Sequence, residues 1–207
     1  RPSEAVFSVE AVSRQPRKVM ISSSLDATCQ AIESIWSNSS SEESLKYANL
    51  SLKRIWPLMR NGLKGEIDYK LLIECANNSG EAINLSKTTG PHALSYGLTR
   101  IFGIPHGIAV SLMMGSFLDL HKDLEVMGSL NEILGGPAGK EWRKMLRSVA
   151  NDVILPDHNE LRNSIPELSS LVNKQRLANN PKKLTNIGVK SLFEGMIDDV
   201  MLLSRKH

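Results

Sequence analysis

Residues 86–112 read SKTTGPHALSYGLTRIFGIPHGIAVSL, and the punctuation of this stretch decides the fold. Pro91 stands where a proline opens a helix, since its missing N–H costs nothing in the first turn. Gly103-Ile104-Pro105 closes that helix and starts a second one at His106, which reaches to about Leu120. His92 and His106 are fourteen residues apart, each at the start of a helix and each preceded by a proline that fixes the local backbone. Gly90, Gly97, Gly103 and Gly107 surround them and allow close backbone approach. Two readings stay open for the pair, a shared ligand role and two unrelated histidines. His121, His158 and His207 sit among charges and read as surface or satisfied core residues.

Working outward, apolar residues recur at intervals of three and four from about Asp26 onward. The spacing predicts a helix over residues 25–37, carried by Ala27, Ala31 and Ile35 and stopped by the serine-rich run 37–41. A second follows over 42–60. Residues 67–86 carry Leu71, Leu72, Cys75, Ala76, Ala82 and Ile83 and read as one buried helix with a small-residue face, weakened at Asn77-Asn78-Ser79-Gly80. Residues 140–152, 158–172 and 187–204 each show an apolar stripe on a polar helix, as outer helices do. Residues 175–184 read as a polar loop in which Asn180-Pro181 starts a turn. The clearest strand candidate, residues 5–7, is short. The expected fold class is all-α, a helical bundle in one domain over residues 26–207. Residues 1–25 read as an irregular lead-in from an N-terminal domain that is missing upstream of Arg1.

Composition narrows the function classes. With 207 residues, 41% hydrophobic and 23% charged, the chain is an ordinary globular one, long enough for a sizeable core. Twenty-five basic against 22 acidic residues leave a formal charge of +3, too near neutral to argue for nucleic acid or a membrane surface. Runs of about 18 apolar residues, which a membrane-crossing helix needs, are absent. Cys29 and Cys75 lie in apolar periodic segments and fit a reducing, cytoplasmic setting better than a disulfide framework.

Asp26 and Gln30 are four apart and share a helix face, where both can point at one ion or ligand. Spacing alone favours a blander reading, a capping box at Ser23-Ser24-Leu25-Asp26 that satisfies orphan N–H groups. Joined to His92 and His106, one carboxylate and two imidazoles form a donor set suited to divalent Fe or Zn with positions left open for water or substrate. Gln30 is a fourth, weak, neutral oxygen donor at best. Lys87, Thr88 and Thr89, immediately before the helix of His92, offer a cation, hydroxyls and a helix N-terminus, the elements of an anion pocket; an ordinary polar loop is the alternative. Tyr96, one turn after His92, serves either as a proton donor facing the same cavity or as packing.

DATCQAIESIWS (26–37), GEAINLSKTTGPHALSYGLT (80–99) and FGIPHGIAVSL (102–112) resemble the C-terminal half of the iron-containing alcohol dehydrogenases, within the dehydroquinate-synthase-like superfamily. The resemblance runs from about Leu25 to Leu120, and Asn179-Asn180-Pro181 before a last helix fits that family's end. It implies a metal, Fe(II) or Zn(II), held by Asp26, His92 and His106. Gln30 stands where many members have a fourth ligand, a histidine in a DAxxHAIE-like helix. Tyr96 replaces a histidine that many members place near substrate and nicotinamide, and is the candidate catalytic residue. The combined motifs are most similar to the phosphonoacetaldehyde reductase subgroup, which implies that Lys87, Thr88 and Thr89 bind a phosphonate-bearing aldehyde.

The resemblance also implies NADH or NADPH as hydride donor, bound mainly by an N-terminal Rossmann-like domain with a glycine-rich GGGS-type loop that this chain lacks. Gly135-Gly136-Pro137-Ala138-Gly139 has no preceding strand and is a poor phosphate cradle. The implied partners are a small aldehyde or alcohol substrate and a second copy in a homodimer, with no nucleic acid and no membrane. Two other readings compete: a non-catalytic helical interaction or dimerisation module derived from the same fold, and a lyase-type relative of dehydroquinate synthase.

Overall fold

The computed structural model describes residues 6–153 and 155–204. Among them every regular element is helical: α1 (Val9–Ser13), α2 (Arg17–Trp36), α3 (Glu42–Arg60), α4 (Tyr69–Ser86), α5 (Gly90–Phe102), α6 (His106–His121), α7 (Met127–Leu134), α8 (Ala138–Val149) with a 3-10 turn at Ala150–Asp152, α9 (His158–Asn163), α10 (Ile165–Ser170), α11 (Lys174–Ala178) and α12 (Asn186–Ser204). No helix among the described residues is long and apolar enough to cross a membrane.

The bundle is organised around α6. Every residue from Gly107 to Leu118 is buried, so this helix is apolar all round, as a central helix must be. It packs against α2, α5, α8 and α12. On its far side α2 also packs on α3 and α4, closing a layer whose core includes Leu25, Ile32, Leu52, Trp56 and Cys75. Gly103, at φ +64°, ends α5 in the left-handed region that glycine reaches without strain. Gly107 lets the start of α6 press onto α2: a Cβ there would lie 1.9 Å from the Ser22 carbonyl oxygen and 3.0 Å from Asp26 Cβ.

Several expectations change. The helix expected near residue 25 begins at Arg17, so within the described part of the lead-in residues 9–13 and 17–25 are helical. Arg17 fixes that start by binding Asp152 and donating to the carbonyls of Gly62 and Leu63 at 2.8 Å. Asp26 consequently sits mid-helix, where no orphan N–H groups exist, and the capping box at Ser23 is absent. A capping box does form one helix later, between Ser41 and Ser44. Residues 69–86 stay one helix through the Asn77–Gly80 weak point. Residues 158–172 break at Ser164 into α9 and α10, and the expected polar loop contains α11. Val6 and Phe7 belong to no strand; Ala5 lies outside the described residues, as does His207.

Candidate metal centre

Three helices bring Asp26 (α2), His92 (α5) and His106 (first residue of α6) together, with one donor atom from each within 4.8 Å of the others. His92 Nε2 is 3.2 Å from Asp26 Oδ1, and His106 Nε2 is 3.7 Å from the same oxygen. Donor atoms bonded to one ion at about 2.0–2.2 Å stand roughly 3–3.6 Å apart, so the His92 separation fits a shared divalent cation and the His106 one lies just beyond that range. The imidazoles stand edge to face, ring centroids 5.3 Å apart. His92 is buried, whereas the His106 side chain is 40% exposed, so the centre opens to solvent on that side.

Behind His92 lies a group that the spacing reading passed over. Glu33 is fully buried, and two turns along α2 from Asp26 it occupies the same helix face. Its carboxylate accepts from His92 Nδ1, from the Thr89 amide at 2.8 Å and from the Thr89 hydroxyl at 2.9 Å. Because an ionised carboxylate only accepts, Nδ1 carries the proton and Nε2 is the nitrogen turned toward Asp26. The same carboxylate satisfies N–H groups at the start of α5, where Thr89 provides no cap of its own. Burial alone would push His92 down, but Glu33 and Asp26 more than offset it and hold the imidazole up to about 9. His106 moves the other way, lowered by burial first and by the neighbouring His92 and Arg176, against the pull of Asp26.

Gln30 reaches this centre but presents its amide side. Nε2 donates to Asp26 Oδ2 at 2.8 Å, and Oε1 accepts from the Ser79 hydroxyl at 3.1 Å. The oxygen expected as a weak metal donor is thus engaged elsewhere.

Of the three anion-pocket residues, Lys87 and Thr88 line one cleft and Thr89 parts from them. Thr89 is fully buried; its hydroxyl accepts from the Trp36 indole at 2.8 Å and donates to Glu33, so it faces the core rather than a ligand. Thr88 accepts from Arg176 Nη1. Lys87 is exposed at the C-terminus of α4, its ammonium donating to the Asn84 carbonyl at 2.7 Å. Tyr96 is half-buried, its ring stacked beside His106 at 5.9 Å and topped by the Arg176 guanidinium at 5.7 Å. His121 is a core residue: Trp36 and Phe117 pack on it, its Nε2 is 3.2 Å from the Asn180 amide, and burial lowers it to about 4.

This architecture recurs among known proteins. The sulfoacetaldehyde reductase of Bifidobacterium kashiwanohense, solved with NAD+, superposes with a TM-score of 0.79 over 95% of this chain and 55% of its own length, at 24% identity. The iron-containing alcohol dehydrogenase of Thermotoga maritima does so at 0.72 over 89% and 51%, at 22% identity. This is the C-terminal helical-domain fold of the iron-containing alcohol dehydrogenases. In sequence, the phosphonoacetaldehyde reductase of Streptomyces viridochromogenes is 31% identical over 121 residues, 57% of this chain and 31% of the relative. No family model matches the chain. The chain spans about half the length of the solved structures with this fold.

Proposed function

We propose that the chain is the metal- and substrate-binding helical domain of an NAD(P)-dependent aldehyde reductase, with Asp26, His92 and His106 as its metal ligands. The observation that carries this reading is the meeting of those three side chains from three helices, with a buried carboxylate committed to the far nitrogen of one imidazole. Metal-binding histidines are commonly oriented in this way. One carboxylate and two imidazoles suit Fe(II) or Zn(II) with coordination positions to spare. Such an ion, when bound, supplies Lewis acidity toward a carbonyl oxygen.

The chain's own residues do the rest of the positioning. Gln30 orients Asp26 by binding Oδ2, which leaves Oδ1 facing the imidazoles; in this reading it supports the ligand set instead of joining it. Tyr96 walls the centre beside His106 and is the proton donor to the product alcohol. The similar proteins are named as reductases of acetaldehydes that carry a phosphonate or a sulfonate, which supports a short anionic aldehyde, phosphonoacetaldehyde among them, reduced to a primary alcohol. NADH or NADPH then binds mainly on an N-terminal nucleotide domain in the cytoplasmic enzyme, and residues 26–207 alone do not complete hydride transfer.

The test is metal content of the full-length protein, purified without oxygen or a chelating tag and measured by inductively coupled plasma mass spectrometry. Roughly one Fe or Zn per chain is expected. His106→Ala should lose it while keeping its circular dichroism and the melting temperature of the metal-free wild type, because that side chain is 40% exposed. Full metal in H106A, or none in the wild type after anaerobic reconstitution, overturns the assignment and leaves the helical interaction module in its place.

A further inference from the structure

Among the described residues two arginines are half-buried, Arg143 and Arg176. Arg143 is neutralised twice, by Asp199 at 2.6 Å and Asp119 at 2.7 Å. Among the described residues no carboxylate pairs with the Arg176 side chain; a single hydroxyl, Thr88 Oγ1, and the face of Tyr96 are its partners. A half-buried guanidinium without a counter-anion keeps its charge available to a ligand, and of its five N–H donors most are left without a protein partner among the described residues.

The position of Arg176 is also fixed. Asn173 caps α11 by accepting the Arg176 amide at 3.0 Å, and its own amide donates to the Ala93 carbonyl on α5 at 3.0 Å. At the other end Asn179 donates to the carbonyls of Ser86 and Thr88. Pinned at both ends, α11 sets the guanidinium in a cleft of about 440 Å³ whose walls include Lys87, Thr88, Gln175 and Asn179 and no carboxylate. The guanidinium also lies over Tyr96, which lies against His106. The unpaired cation and His106 of the candidate metal centre thus share Tyr96 as a common neighbour.

We propose that Arg176, braced by Thr88 and assisted by Lys87, is the specificity-determining group that binds the phosphonate of the substrate. The proposal rests on the reductase reading above and moves anion recognition from the segment before His92 to α11. A planar fork of donors matches two oxygens of a tetrahedral anion better than a lone ammonium does. The same chemistry also fits a nucleotide phosphate, so the test must separate the two sources.

Binding of 2-hydroxyethylphosphonate, the product alcohol with its anion intact, is measured by calorimetry on the full-length protein and on Arg176→Gln. Loss of two charge-assisted hydrogen bonds should weaken it by about 10- to 100-fold, with Arg176→Lys recovering part of the loss and melting temperatures reporting that both variants fold. In turnover, the preference for phosphonoacetaldehyde over propionaldehyde should collapse in R176Q while the KM for NADH or NADPH does not move. Equal phosphonate binding by wild type and R176Q overturns the proposal. So does a raised nucleotide KM with both aldehydes, which assigns the anion to the nucleotide. A protein that binds the phosphonate through Arg176 yet holds no metal and reduces no aldehyde sinks the reductase reading and leaves the anion site standing. A metal-loaded reductase of neutral aldehydes that ignores the phosphonate does the reverse.

Discussion

Glu33 accepts the Nδ1 proton of His92 from a fully buried position, and this single contact determines which imidazole nitrogen faces Asp26. It places on α2 both a candidate ligand, Asp26, and the group that aims a second ligand on α5.

Glu33→Gln should therefore weaken metal binding by about 10- to 100-fold, the usual effect of removing an outer carboxylate from a ligating histidine. Competition with a chromophoric chelator measures it. Unchanged affinity in a folded E33Q protein would show that His92 needs no such orientation.

Gln30→His places an imidazole one turn from Asp26 on the same face of α2. It should tighten divalent metal binding by at least about tenfold by adding a fourth protein ligand, at the expense of the amide contact to Asp26 Oδ2. The same chelator assay decides, and an affinity equal to or below wild type rejects the geometry.

Gly107→Ala should damage the centre more than the fold. The new Cβ would lie 1.9 Å from the Ser22 carbonyl oxygen, so the start of α6 must retreat from α2 and carry His106 away from Asp26. Overpacking of this kind costs about 1–3 kcal/mol. Metal content should fall further than a loss of that size would explain, and a variant with full metal and a lowered melting temperature would contradict the expectation.

Stability of the chelator-treated protein should peak near pH 6.5. Burial lowers His121 to about 4 from 6.5, so as pH falls through that window the unfolded chain takes up a proton that the folded one refuses, at a cost of at most about 3 kcal/mol. His92 is raised to about 9; its contribution is complete below 6.5 and is lost as pH rises toward 9. Denaturant titrations across pH should show the acid limb flattened in His121→Gln, and an acid limb that persists there would assign it to other groups.

Much of the fold was legible because apolar spacing is a property of the helix itself. The span of about Glu42 to Arg60 was readable, and the proline and glycine punctuation around His92 and His106 marked them as a candidate pair. The start of α2 was not, because Ser22-Ser23-Ser24 carries the local chemistry of a cap while the helix is extended backward by Arg17 and its distant partners. Glu33 left one faint signal, a lone acid two turns from Asp26 in an otherwise apolar run; its partners on α5 are remote in sequence. Arg176 left less, since a basic residue in a polar stretch is ordinarily solvated, and only the absence of a carboxylate partner among the described residues sets it apart.

The hydrogen bonds around Glu33 extend one member further than the metal chemistry requires. Trp36 donates to Thr89, Thr89 to Glu33, and His92 to Glu33 in turn. Trp56 and Trp142 stack on each other instead, with Trp56 held by the Leu134 carbonyl. One indole of the three is therefore joined through Thr89 and Glu33 to a candidate ligand, so a cation bound at His92 should shift the polarisation of the chain toward that fluorophore. Ion uptake at this centre should therefore be readable from native emission, and in Trp36→Phe that signal should vanish while chelator competition still reports binding.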